Sequence, residues 1–573
     1  MKLIRKSLFP LFAVYAALQL GNSLFPNAAS VKEAASIQIQ LTDTTLTTSN
    51  LPIVVINTGG QIILDSVKIM ADMGIIDNGA GKRNSVTDTF NGYNGKIGIE
   101  LRGWTSQSFP KKPYGFETRN SDGSNLDVSL LGMPADNDWI LFAPYDDKSL
   151  IRDALLYSLS NKIGMYATRT RYCELMLNGQ YQGIYVLMEK VKRGKNRVDI
   201  SKLEAKDSTG TALTGGYIIL HDHIEFNKGG WYSSYPPYTG SQPRLFLQYY
   251  YPKPEDIIPK QCSYIEQFMK EFEKTLYNSG YDDPVNGYVK YINTGSFIDY
   301  MILTELCKNV DGYRLSTYLH KNSDSKDGRL VMGPPWDYNI AFGNANYDEG
   351  QYTNGWQLDW PWDVYHDQIP FWFRRLLMDK SFANKLHNRW TELRKGALSY
   401  NSITAQIDSF TVLLKESKDR NFRRWPVLGQ YVWPNYFIGQ TYESEINYLK
   451  SWIKGRLAWL DANMYGQQTA EVAQTNAQSQ NMSFRLEQNF PNPFNPETTI
   501  GFSLEKAGNV NLSIYNILGR KVKTLINEIL GEGTHKVVWK GVDDSGRRVP
   551  SGVYFYRLES NGNSLIKRMI LLQ

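Results

Sequence analysis

The sequence predicts an α+β body followed by a small all-β tail. Three observations predict this: short runs of alternating apolar and polar residues from Leu51 to Met188, apolar stripes at helical spacing from Ile265 to Leu460, and a polar stretch at 467–480 beyond which the chain reads as strand and turn. With 573 residues, 42% hydrophobic and 21% charged, the chain can build two or more cored units.

Met1-Lys2-Leu3-Ile4-Arg5-Lys6, the apolar run Leu8 to Leu20 and the small and polar residues after it have the three parts of a secretory signal peptide, so residues 1 to 29 are expected to be removed. No later stretch approaches twenty apolar residues, and a membrane-spanning segment is not expected in the mature chain. The net charge of +6 gives no case for nucleic acid as a partner. Only Cys173, Cys262 and Cys307 are present, without CxxC spacing, so stability must come from the core.

Leu51 to Ile56, Val67 to Ala71, Lys96 to Arg102, Pro113 to Thr118, Trp139 to Phe142, Arg171 to Leu177 and Gly183 to Met188 read as strands of a largely antiparallel system, with one helix among them at Lys148 to Ile163. From Cys262 the pattern turns helical. Ile265, Phe268, Met269, Phe272 and Leu276 form one stripe, and Phe297 to Cys307 a buried helix. Phe371 to Arg394, Ile403 to Lys418 and Tyr442 to Met464 read as further helices, which makes the body (30–464) sheet-rich first and helix-rich second, two lobes with chemistry where they meet. Residues 465–483 read as a flexible linker, and 484–573 as a small sandwich with strands at Thr498 to Leu504, Val510 to Asn516, Thr534 to Trp539, Val553 to Glu559 and Ser564 to Leu571. The aromatic content is high, 13% with 14 Trp and 37 Tyr, and part of it lies in loops such as Trp356 to Trp362; packing and a grip on sugars are both open uses.

Between the helical stripes lies a β-hairpin. The strand Arg314 to Lys321 leaves Asp311, the turn 322–328 reverses it, and Arg329 to Gly333 returns toward Pro334-Pro335-Trp336-Asp337. Both carboxylates therefore stand at its open end. About 5 Å apart at an effective dielectric of about 20, two such charges repel by roughly 3 kcal/mol, which invites a cation between them. Phosphoryl-transfer enzymes of the kinase type hold a hydroxyl-orienting carboxylate beside a magnesium-binding one in this way.

Lys111 and Lys112 follow the polar turn 102–110, which can cover phosphates while a lysine pairs the charge; a solvated strand edge is the alternative. If the strand begins at Lys112, that residue shares a face with Tyr114 and Phe116, and Lys111 points the other way. Glu189 ends its strand and opens the basic stretch Lys190, Lys192, Arg193, Lys195 and Arg197. It can partner a phosphate-binding lysine or make a surface ion pair, and the basic stretch reads as solvated surface. His221-Asp222-His223 suggests a metal pair on one strand face, but no third ligand stands at a fixed spacing. No Ser or Cys sits in a nucleophile turn.

Four ordered motifs carry a family resemblance: Ile99-Glu100-Leu101-Arg102-Gly103 with Ser106 and Phe109-Pro110-Lys111-Lys112-Pro113-Tyr114; Leu177-Asn178-Gly179 through Gly183-Ile184-Tyr185 to Glu189; Asn309-Val310-Asp311; and Pro335-Trp336-Asp337-Tyr338-Asn339 with Phe342-Gly343. Over Leu51 to Met464 the chain resembles the CotH-type secreted kinases. The resemblance implies an atypical protein-kinase-like fold and transfer of phosphate from ATP, with Mg²⁺ or Mn²⁺, to a protein substrate. Asp311 then resembles the catalytic-loop Asp, Asp337 the metal-binding Asp, Lys111 or Lys112 the nucleotide-phosphate lysine, Glu189 its partner and Arg102 a further phosphate contact. At the position five residues after Asp311, where such kinases favour an Asn as second metal ligand, stands Ser316, whose hydroxyl is a shorter and weaker ligand. Asn339 stands where relatives often have Asp.

Leu486 to Pro496, Ile514 to Arg520, Pro550 to Tyr556 and Lys567 to Leu571 resemble the type A sorting domain of type IX secretion, an Ig-like module related to the flagellar hook-capping fold. That implies passage through the periplasm, contact with the type IX machinery, and a secreted or outer-surface product. Two further readings stay open: a kinase-fold surface protein that binds a glycan or cell-surface partner without turnover, and a glycosidase using Asp311 and Asp337, which leaves the lysines and Glu189 unexplained.

Overall fold

The computed structural model describes residues 46–65, 67–224, 229–236, 245–359, 369–466, 484–486, 489, 494 and 496–571. The expected signal peptide, nearly all of the expected linker, and Trp360, Pro361 and Trp362 lie outside them. The chain divides between Met464 and Tyr465 into two compact units.

The first unit is α+β, and its sheet-rich half closes on itself. Seven strands, Ile53–Asn57, Ile69–Ile76, Tyr93–Leu101, Tyr114–Arg119, Asp138–Phe142, Gln180–Glu189 and Thr170–Leu177, form a barrel in that order. Every pairing is antiparallel except the seam that closes it, where Ile53–Asn57 runs parallel to Thr170–Leu177. The pleat sorts the side chains of the closed barrel. Val54, Ile56, Met73, Ile75, Ile97, Ile99, Tyr114, Phe116, Trp139, Leu141, Cys173, Leu175, Tyr185 and Leu187 all point into one core, so alternate positions on each strand face out.

A second sheet of five strands, in the order Gly230–Tyr232, Phe246–Tyr251, Tyr217–His221, Thr317–Lys321 and Leu330–Met332, contains the expected hairpin, with Leu319 opposite Met332 and Lys321 opposite Leu330. The helices Pro259–Tyr277, Thr294–Cys307 and Tyr442–Asn463 match the stripes read from sequence. The segment 371–394 is broken instead into Trp372–Leu377 and Lys380–Arg394, because the Asp379 carboxylate caps the second helix by accepting the Ser381 N–H at 2.8 Å. The segment 403–418 likewise ends at Leu413, and a new helix, Ser417–Arg424, packs on the strand Gln180–Glu189.

The second unit is all β. Its sheets are Arg485–Leu486, Thr498–Leu504 and Gly533–Trp539 on one side, and Lys521–Leu530, Gly508–Asn516, Gly552–Ser560 and Asn563–Leu571 on the other. Ile500, Phe502, Leu512, Ile514, Trp539 and Tyr556 fill the core between them. The strand Lys521–Leu530 was not expected, for its sequence has no clean alternation.

Candidate functional site

A cleft of about 1180 Å³ lies between the outer wall of the barrel and the five-stranded sheet. The pleat decides what the barrel contributes: Ile99, Leu141 and Leu187 turn inward, while Glu100, Arg102, Asp138, Ile140, Met188 and Lys190 line the cleft. The facing wall supplies Leu220, Asp222, His223, Tyr250 and Tyr318, and the loops at the hairpin's open end bring Asp311, Ser316, Trp336, Asp337 and Asn339.

Asp311 and Asp337 thus meet in one site, as the hairpin predicts. Asp311 follows the helix Thr294–Cys307, which ends on Lys308 in the left-handed conformation, φ 45°. Its carboxylate accepts Arg314 Nη2 at 2.6 Å while Arg314 Nε reaches the Val310 carbonyl at 3.1 Å, so the guanidinium clamps the turn.

Asp337 is itself left-handed, φ 66°, a conformation a non-glycine residue keeps only when its surroundings hold it. They do so from three sides. The Asp337 N–H goes to Tyr157 Oη at 3.0 Å, its carbonyl accepts Asn309 Nδ2 at 3.2 Å, and the next N–H, of Tyr338, goes to Asp153 Oδ1 at 2.7 Å.

By area the Asp337 side chain is open to the cleft, yet protein crowds it closely enough that burial is the first cause pushing its carboxyl up to about 7. Asp311 and then Asp222 push the same way, and Arg102 and His223 oppose them. Water in the cleft screens part of this repulsion, which leaves the direction upward. Behind it, burial first and Asp147 second raise Asp146 to about 7, and burial and then Asp337 raise Asp153 well above the usual carboxylate range. This end of the cleft carries more acid than its cations neutralise.

A hard cation fits that donor set. The donors are all oxygen, which suits magnesium or manganese, and Asp337 could hold such an ion, with Asp222 and Ser316 also on the cleft wall, the Ser316 hydroxyl 3.5 Å from Asp222 Oδ2. Among the described residues no three His, Cys, Asp or Glu side chains form a ready cage, so such an ion would take its remaining ligands from phosphate oxygens and water.

Arg102 is placed in the cleft, its guanidinium over the Trp336 ring at 5.5 Å. The other expected phosphate contacts are not. Lys111 is buried at the seam between the barrel and the helix Ser417–Arg424, where its Nζ donates to the Ile184 carbonyl and to Asn421 Oδ1 at 2.9 Å. Burial lowers it to about 7. Lys112 Nζ donates to the Gln107 carbonyl at 2.7 Å. Glu189 is fully buried and binds Arg169 at 2.8 Å and the Tyr166 hydroxyl at 3.2 Å, with Arg197 at 4.0 Å, so it partners arginines and neither lysine.

The histidine pair separates too. His221 is buried, with Nδ1 3.2 Å from the Phe246 carbonyl, while the strand ends there and His223 turns into the cleft beside Trp104. Of the basic stretch, Lys190, Lys192 and Arg193 line the cleft and Arg197 is buried over Trp139, so most of it is a wall of the site, while Lys195 is exposed as expected.

Sequence reasoning missed Asp146, Asp153 and Tyr157, and named Asp222 only between the two histidines of a possible metal pair. An available signal was Asp153 and Tyr157, four apart and so on one face of the helix Arg152–Lys162; nothing in the pattern showed that this face meets the 336–340 segment.

Comparison with known proteins agrees with this division of the chain. The CotH kinase protein family matches residues 99–460, and the secretion system C-terminal sorting domain matches 488–572. No curated protein gives a match. Among solved structures, latent PorU from Porphyromonas gingivalis is 24% identical over 15% of this chain and 9% of its own, with a TM-score of 0.14. PorZ from the same organism is 20% identical over 19% and 13%, with a TM-score of 0.12. FlgD from P. aeruginosa is 17% identical over 16% of this chain and 76% of its own, with a TM-score of 0.13.

Proposed function

Because the chain belongs to the CotH kinase protein family and carries a secretion sorting domain that marks it for export, we propose that it is an exported kinase that moves the terminal phosphoryl group of ATP to a protein hydroxyl. No helix among the described residues is long and apolar enough to cross a membrane. The type IX machinery is the proposed export partner, through residues 484–573, and the outer surface or medium the proposed destination. The observation that carries the catalytic reading is the meeting of Asp311 and the strained, acid-crowded Asp337 in one cleft that also holds Arg102.

In this reading the Asp311 carboxylate, oriented by Arg314, accepts the proton of the acceptor hydroxyl as its oxygen bonds to the γ-phosphorus and the bond to ADP breaks. Asp337 would hold Mg²⁺ or Mn²⁺, which when bound spreads the charge that develops on the phosphate oxygens. Arg102 pairs phosphate charge, and Tyr157, Asn309 and Asp153 fix the backbone that aims Asp337.

The alternative is a surface-binding protein on the same frame. Ser316 favours it, because its hydroxyl reaches a cation less well than a carboxamide does.

Full-length protein with γ-labelled ATP, Mg²⁺ or Mn²⁺ and an acidic test protein decides between them. The kinase reading expects label on protein for the wild type and none for Asp337→Ala; no label from the wild type with either metal would leave the surface-binding reading.

A further inference from the structure

We propose that Lys190, together with Arg102, takes the terminal phosphates of the nucleotide, in the role that sequence alone gave to Lys111 or Lys112; the proposal rests on the kinase reading of the same cleft. Position comes first. Tyr185 and Leu187 face the barrel core, so Met188 and Lys190 stand on the opposite face, and both line the cleft, as Arg102 does.

Commitment comes second. Lys190 Nζ lies 3.8 Å from an Asp138 oxygen, beyond hydrogen-bond length, while the other oxygen of that carboxylate takes Lys192 at 2.6 Å. Among the described residues Arg102 has no ion pair, only the Trp336 ring. Lys111 has both a carbonyl and an amide oxygen for its ammonium and does not line the cleft.

Charge comes third. Burial holds Lys190 below its usual value, Asp138 opposes this, and Arg102 and Lys68 add repulsion. Two neighbouring cations in a partly desolvated wall, facing an acidic end at Asp337, describe a seat for a metal-bound polyanion: phosphate oxygens against Lys190 and Arg102, the ion against Asp337.

The test is a calorimetric titration of the full-length protein with Mg·ATP and with inorganic tripolyphosphate, using wild type, Lys190→Met, Lys190→Arg and Lys111→Met. Both probes should bind the wild type, weaken about tenfold or more with Lys190→Met, and recover most of that with Lys190→Arg. Lys111→Met should lower the melting temperature and leave both affinities unchanged. Wild-type binding that Lys190→Met does not weaken overturns the proposal and leaves the kinase reading standing; so does a loss confined to Lys111→Met. A wild type that binds neither probe overturns both.

Discussion

Tyr157 holds the backbone of Asp337: its hydroxyl accepts the Asp337 N–H at 3.0 Å, and Asp153 on the same helix accepts the next N–H at 2.7 Å, so a helix of the body fixes the left-handed turn at Asp337. Tyr157→Phe leaves that N–H without its acceptor. It should cost about 1–3 kcal/mol in urea unfolding and, on the proposed kinase reading, lower the turnover of phosphoryl transfer more than it raises KM for ATP. Unchanged turnover would show that the backbone of Asp337 is held without it.

Glu189 should behave as a residue of the fold. It is fully buried against Arg169, whose side chain is 36% exposed, and Arg197, which also has Asp136 at 3.4 Å, so its removal takes buried hydrogen bonds from both the Arg169 guanidinium and the Tyr166 hydroxyl. Glu189→Ala is expected to destabilise by about 1–3 kcal/mol while the protein that remains folded binds Mg·ATP as the wild type does. A selective loss of nucleotide affinity with normal stability would restore the pairing with a phosphate lysine.

Asp146 gives stability a pH signature. Its carboxyl is raised from 3.8 to about 7, by burial first, so the folded state keeps a proton that the unfolded state releases near pH 4. Stability from this group is whole below about pH 4 and is lost as pH rises through about 7. Asp146→Asn removes that loss, so the unfolding free energy of the variant relative to wild type should rise between pH 4.5 and 8, by an amount on the order of a few kcal/mol. A constant difference across that range would contradict the raised carboxyl.

Much of this was legible in the sequence, and the reasons are specific. The barrel strands and the hairpin carry clean alternation, and the pairing of Asp311 with Asp337 follows from the hairpin alone. Barrel closure was not legible, because the parallel seam between Ile53–Asn57 and Thr170–Leu177 joins strands more than a hundred residues apart. The lysine assignment turned on a segment beyond Lys418 to which the sequence reading gave no element. Ser417–Arg424 is a separate helix, and its Asn421 meets Lys111 across a strand, which draws that lysine into the core. Lys190 was read as surface because a strand's last residues look alike whichever side of them another sheet covers.

The central claim is that the acid-crowded end of the cleft belongs to a divalent ion held with nucleotide. Equilibrium binding of Mn²⁺ to the full-length protein at pH 7.5, with and without ATP, tests it most directly in wild type and Asp337→Asn. The account predicts Mn²⁺ binding that ATP strengthens and that Asp337→Asn abolishes. Binding that is indifferent to ATP and unchanged in the variant, or absent from the wild type, would contradict it.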